Sequence, residues 1–207
     1  MAAVTLYGSP ISSYVRTARI ALAEKGVSYD LVEAWPDHPE VQKRHPFSKI
    51  PAFRHGDFEI YETAAITRYV DEGFSGPALQ PSDVKARARM TQWISVLNSY
   101  CYPTMIGRIV IERVAPKLLN RPADEEKVKA AVPDAEHHLG VLESGVGSGP
   151  YFVGREPSLA DHFLYPVLFY LSITPEGGAL LERKPALRRW LETMGERKSV
   201  KNTMPAL

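Results

Sequence analysis

Ile50-Pro-Ala-Phe-Arg-His-Gly-Asp-Phe-Glu-Ile-Tyr-Glu-Thr63 carries the decision about the fold. Two runs, residues 50–54 and 58–61, flank His55-Gly56-Asp57, the pattern of an antiparallel hairpin with a glycine in its loop. Helical spacing then resumes at Glu62 and runs to Phe74, with Ala65, Ile66, Tyr69 and Val70 on one side. Upstream, residues 4–7 are apolar and β-prone and end in Gly8-Ser9-Pro10, a turn signal. From residue 14 to 25, Val15, Ala18, Ala21 and Leu22 recur at helical spacing. Ser12 or Ser13 stands where an N-cap belongs, and Gly26 is the stop. Residues 27–33 read as a second strand, and residues 40–44 as a short helix after the Trp35-Pro36 loop. The order β-α-β-α-β-β-α implies a compact α/β sheet with a closing hairpin.

Beyond residue 76 the β signal nearly disappears. Residues 77–83 read as a linker and residues 84–207 as an all-helical domain, after an α/β domain over residues 1–76. Ala86, Met90, Trp93, Leu97, Tyr100 and Cys101 describe one face of a long helix, and a second is expected over about residues 123–142. Ser158-Leu-Ala-Asp161 has the form of a capping box and opens an apolar helix over residues 159–171. Residues 185–196 supply a last helix, with Leu187, Trp190, Leu191 and Met194 facing inward.

Composition narrows the function classes. Of 207 residues, 44% are hydrophobic and 24% charged, and the net charge is +1. That balance excludes disorder and argues against nucleic-acid binding by bulk charge. No run reaches the eighteen or so apolar residues of a membrane span, and the N-terminus lacks the pattern of a secretory signal. The expectation is a cytoplasmic protein without membrane or nucleic-acid partners. Cys101 is the single cysteine, so no intrachain disulfide and no CxxC pair can form. His137, His138 and His162 lack companions at metal-ligand spacing, and no metal is expected.

Four segments carry a resemblance. Tyr7-Gly-Ser-Pro-Ile-Ser-Ser-Tyr-Val-Arg16 leads into Ile20-Ala-Leu-Ala-Glu-Lys-Gly26, and His45-Pro-Phe-Ser-Lys-Ile-Pro51 leads into the hairpin. Tyr61-Glu-Thr-Ala-Ala-Ile66 opens the closing helix, and Ser158-Leu-Ala-Asp161 lies far downstream. In this order and spacing they resemble the cytosolic glutathione S-transferase family, and most closely its serine-type members (phi, theta and zeta-like). The resemblance implies a thioredoxin-like N-terminal domain followed by an all-α domain. It implies glutathione as co-substrate, a small hydrophobic electrophile, and a homodimer in which Phe47 meets the partner subunit.

The chemistry gives these residues roles. The thiol of glutathione has a pKa near the ~8.5 of free cysteine, and the thiolate is the nucleophile. A hydroxyl at a helix start offers a hydrogen bond and the positive potential of unpaired N–H groups. Position matching to the resemblance puts that hydroxyl at Ser12, with Ser9, Ser13 and Tyr7 as alternatives. No cysteine lies in the first hundred residues, which weighs against thiol–disulfide exchange. Pro51 matches a cis proline that would turn the Ile50 backbone outward to pair with glutathione like an added strand. Glu62 suits the γ-glutamyl ammonium and Thr63 the γ-glutamyl carboxylate, while Lys49 and His38 match cations near the glycyl carboxylate. Ile11, Trp35, Tyr102, Met105 and Ile106 are the expected apolar lining for the electrophile. A glutathione-dependent isomerase of the maleylacetoacetate type and a non-enzymatic glutathione- or ligand-binding protein remain alternatives on the same fold. The serine-rich run that marks the isomerase is only partly present.

Overall fold

The computed structural model describes residues 3–206. The chain divides into two compact units: one runs through Gln80 and resumes from Glu196 onward, the other is Pro81–Gly195.

The first unit is built on β1 (Val4–Tyr7), α1 (Ser13–Glu24), β2 (Asp30–Val32), α2 (Pro39–Arg44), β3 (Ala52–His55), β4 (Phe58–Tyr61) and α3 (Thr63–Gly73). The sheet order is β2-β1-β3-β4. β1 pairs parallel with β2 (Leu6 opposite Leu31) and antiparallel with β3 (Leu6 opposite Phe53). β3 and β4 close the hairpin with His55 opposite Phe58. β2 is shorter than the expected residues 27–33, pairing with β1 only from Thr5–Asp30 to Tyr7–Val32. α1 buries Val15, Ala18, Ile20, Ala21 and Leu22, while α3 buries Ile66 and Val70. At the β1–α1 turn, Gly8 has φ 153°, and a Cβ there would lie 2.4 Å from Val15 Cγ2. Only glycine lets α1 start so close to the strand.

Residues 84–207 are helical throughout their regular elements, but they divide between the two compact units. The segment after Gly195 belongs to the first unit, where the short α11 (Lys198–Lys201) packs on α1. Arg197 donates to both carboxylate oxygens of Glu24 at 2.7 and 2.8 Å, and Ser199 donates to one of them. The fully buried Arg16 donates to Met204 Sδ at 3.4 Å. These pairings join residues more than 170 positions apart, which no local periodicity reports.

The second unit opens with α4 (Val84–Val96), which widens into π geometry over Leu97–Cys101, returns to α5 (Tyr102–Thr104), widens again over Met105–Val110 and ends as α6 (Ile111–Leu118). In the wide turns Tyr102 N–H donates to Leu97 O and Ile111 N–H to Ile106 O, five residues back. Then follow α7 (Glu125–Val146), α8 (Leu159–Ser172), α9 (Pro175–Leu181) and α10 (Pro185–Gly195). α8 is buried nearly all round and forms the centre of this unit. Sequence reading passes over α9, because Gly177 and Gly178 speak against a helix; Gly177 is there because a Cβ would lie 2.0 Å from Leu171 O. No helix among the described residues is long and apolar enough to cross a membrane.

Candidate active site

The site is assembled from two helix starts and one loop of the first unit. Ser12 is the N-cap of α1, in extended conformation (φ −67°, ψ 128°), and its Oγ accepts from Val15 N–H at 3.4 Å. The first turn of α1 holds no acidic side chain, so its N-terminal positive potential is not offset from within the helix. Ser12 is partly exposed, whereas Ser9 and Ser13 are each only 5% exposed. Tyr7 is 3% exposed and packs in a cluster with Ala34, Val41 and Ala52, under the Arg44 guanidinium at 4.3 Å. Of the four hydroxyls weighed from sequence, Ser12 is therefore the accessible one at a helix start.

The loop from α2 to β3 is held from within. His45 caps α2 through its N–H to Val41 O at 2.8 Å, and its Nδ1 accepts from Phe47 N–H at 3.3 Å. Ser48, with φ 47° in the left-handed region, donates its N–H to His45 O at 2.9 Å. The Ile50–Pro51 bond is cis, and β3 begins only at Ala52, so the Ile50 backbone lies outside the ladder with β1. Lys49 is exposed, and Phe47 is 70% exposed. His38 caps α2 by accepting from Glu40 N–H at Nδ1, 3.2 Å.

At α3 the N-cap is Glu62, at φ 71° and ψ 118°, with no side-chain cap hydrogen bond. An L-residue in this region is strained, and such strain concentrates at ligand sites. The Glu62 carboxylate is mostly exposed and stands 3.8 Å from His45 Nε2. Thr63 is buried at the first position of the helix. Burial holds the His45 imidazole below its ordinary pKa, with the Lys49 charge adding to it and Glu62 working against it.

His45 and Arg44 were not assigned roles from sequence. His45 is legible there only as part of the His45-Pro46 step, and its contact with Glu62 is a product of the fold. Arg44 stacks on Tyr7 and pairs with Glu40 and Glu59.

The electrophile candidates divide. Trp35 is 53% exposed, and Ile11 and Tyr102 are partly exposed. Met105 is fully buried and Ile106 nearly so, and both belong to the core of the second unit. The wide turn that begins at Met105 directs both side chains inward, so neither offers the exposed apolar surface that Trp35 does. Cys101 is likewise buried, and desolvation pushes its thiol up to about 12. Among the described residues no group of three or more His, Cys, Asp or Glu assembles to hold a metal.

Comparison with known proteins places this arrangement. The family model of the glutathione S-transferase N-terminal domain matches residues 6–78, and that of the glutathione S-transferase C-terminal domain matches residues 124–193. The chain belongs to the glutathione S-transferase family. Glutathione S-transferase F10 of Arabidopsis thaliana is 30% identical, covering 94% of this chain and 93% of that one. The crystal structure of glutathione transferase F7 from Populus trichocarpa superposes with a TM-score of 0.87 at 26% identity, covering 97% of each chain. A glutathione S-transferase from Methylobacillus flagellatus, solved with glutathione bound, gives 0.82 at 25% identity over 99% of this chain and all of that one. As a glutathione S-transferase, the chain carries a thioredoxin-like unit, of which Ser12, the cis-proline loop and the start of α3 are all part.

Proposed function

We propose that this transferase joins the thiolate of glutathione to small hydrophobic electrophiles, with Ser12 as the group that stabilises the thiolate. The observation that carries the reading is the state of the Ser12 hydroxyl. As N-cap it spends one lone pair on Val15 N–H and keeps its own O–H for another acceptor. Capping and donation to sulfur are therefore compatible in one side chain. The helix start adds positive potential at the same place.

The tripeptide is then held along the rest of the site. The Ile50 backbone pairs with the cysteinyl unit as an added strand, with Pro51 shaping the turn. The exposed Glu62 carboxylate takes the γ-glutamyl ammonium, and the first N–H groups of α3 with the Thr63 hydroxyl take the γ-glutamyl carboxylate. Lys49 faces the glycyl carboxylate. His38 joins it, because Nδ1 accepts from Glu40 N–H and so, in the neutral ring, the proton sits on Nε2, ready to donate. Ile11 and Trp35 supply apolar surface on the glutathione-binding unit for the electrophile. The exposed Phe47 supports a homodimer in which this ring meets the partner subunit. A cytoplasmic role in detoxification is the corresponding biology.

Ultraviolet absorbance of the bound thiolate, followed against pH, tests the reading. The wild type is expected to lower the thiol pKa by at least one unit, about 1.4 kcal/mol. Ser12→Ala is expected to abolish the shift and to cost roughly ten- to a hundredfold in kcat/KM at neutral pH. An unchanged shift in Ser12→Ala moves the donor elsewhere, and failure to bind glutathione sinks the function.

A further inference from the structure

We propose that His45 is a positioning residue that makes glutathione binding proton-gated: neutral, it anchors the 45–51 loop, and protonated, it releases that loop and competes with the ligand ammonium for Glu62. The inference rests on the reading above that Glu62 receives the γ-glutamyl ammonium.

The geometry fixes the proton on the ring. Nδ1 accepts from Phe47 N–H at 3.3 Å, so the neutral imidazole carries its hydrogen on Nε2. That Nε2 faces Glu62 Oε1 at 3.8 Å, a distance of orientation rather than of a formed hydrogen bond. The ring is 2% exposed and lies between Tyr61, 4.7 Å away, and the edge of Phe47 at 6.2 Å. Water therefore has little access to replace either partner.

Adding a proton changes both ends of the ring. At Nδ1 the new hydrogen points at the Phe47 N–H, so two donors meet and the anchor is lost. The loop it holds carries Lys49 and the Ile50 backbone on which glutathione is laid. At Nε2 the imidazolium becomes a cation facing the one carboxylate reserved for the ligand's ammonium. The charged and titratable groups around the ring are Glu62 ahead of α3, Lys49 in the loop and Tyr61 from β4. Arg44, on α2, is turned to Glu40 and Glu59 instead. Linkage makes the effect reciprocal: ligand on Glu62 disfavours the imidazolium, and the imidazolium disfavours the ligand to the same degree. Burial and Lys49 keep the ring neutral at physiological pH, so binding is intact there and weakens as acidification passes the lowered His45 value.

S-methylglutathione is the probe, since it has no thiol to titrate. Its Kd, measured by calorimetry from pH 8 to pH 5, is expected to rise progressively for the wild type toward the acid end. In His45→Asn the side-chain Oδ1 can still accept from Phe47 N–H but cannot titrate. This variant is expected to recover most of the wild-type affinity at pH 8 and to show a flat profile. His45→Leu is expected to bind weakly throughout, raising KM for glutathione while kcat at saturation stays within about threefold, the split expected from lost positioning alone. Should His45→Leu not fold, the wild type and His45→Asn carry the test. In nuclear magnetic resonance, the imidazole signal absent from His45→Asn is expected to titrate at lower pH when S-methylglutathione is bound. A flat wild-type profile, an acid weakening retained in His45→Asn, or a His45 titration unmoved by ligand each overturns the proposal. Absence of any binding at pH 8 overturns the proposed function itself, and this gate with it.

Discussion

Among the described residues two helices are capped by a serine, and they are finished in opposite ways. At α8, Ser158 and Asp161 close a capping box, and Asp161 also accepts from Phe152 N–H at 3.0 Å and Trp190 Nε1–H at 2.8 Å. At α1, Ser12 accepts one long hydrogen bond, and no acid stands in the first turn. Glu62 at α3 makes no side-chain cap bond, only its backbone carbonyl accepting from Ile66 N–H at 2.9 Å. The α8 start is closed and buried, so its polar groups are spent on the fold. The α1 and α3 starts are capped less completely, and backbone donors left over at a helix N-terminus are what the proposed glutathione site draws on.

The most severe way to break the contrast is Asp161→Ala. Burial pushes this carboxyl up, against the four hydrogen bonds it accepts. Removing it strands the Phe152 and Trp190 donors in the core at a cost of about 3–5 kcal/mol. Calorimetry should show Tm lower by roughly 10 °C.

Glu62→Gly separates strain from binding. Glycine accepts φ 71° without penalty, so stability is expected to stay within about 1 kcal/mol of the wild type. Losing the carboxylate should weaken glutathione by at least roughly tenfold in equilibrium binding. A large loss of stability with intact affinity would make Glu62 a structural cap after all.

Exchanging the two serines' functions sharpens the comparison further. Ser12→Asp retains a good N-cap, and its unfolding free energy should remain within about 0.5 kcal/mol of wild type, while the anion beside sulfur removes the thiol pKa shift. Ser158→Ala should do the reverse, costing about 1–2 kcal/mol in denaturant unfolding with the thiol pKa unchanged.

The gentlest test lies in the second unit. Glu112 is buried and accepts from Arg121, Lys127 and the Asp124 N–H, and these bonds hold its pKa well below the usual carboxylate range. A depressed folded pKa adds stability above the unfolded carboxylate value near 4.5, and that part is lost as pH falls below it. Glu112→Gln should be modestly less stable at pH 7 and should lack this portion of the acid-induced loss, read as a shallower dependence of Tm on pH.

Much of this was legible in residues 4–74. β1, α1, the hairpin and α3 each carry their own punctuation: Gly8-Ser9-Pro10, Gly26 and His55-Gly56-Asp57. Ser12, Glu62 and Thr63 stand at helix starts that turn chemistry locates to within a residue or two. The capping box at Ser158 is equally local, and its residues name their own partners. The burial of Met105 and Ile106 was not legible, because a helical stripe does not say which of its members the neighbouring helices cover, and a wide turn shifts the phase of the stripe.

The sequence by itself determined the order of elements, their starts and stops, and the family-like set of polar groups at one end of the sheet. All of these rest on interactions within a few residues, where steric preference and capping act. Only the tertiary structure decided that Ser12 is exposed while Ser9 and Ser13 are buried, and that the chain after Gly195 returns to α1 through Arg197 and Glu24. It also set His45 between Phe47 and Glu62. Burial and charge pairing depend on which distant segment arrives at a given face, and that is settled by packing of the whole unit rather than by any window of its sequence.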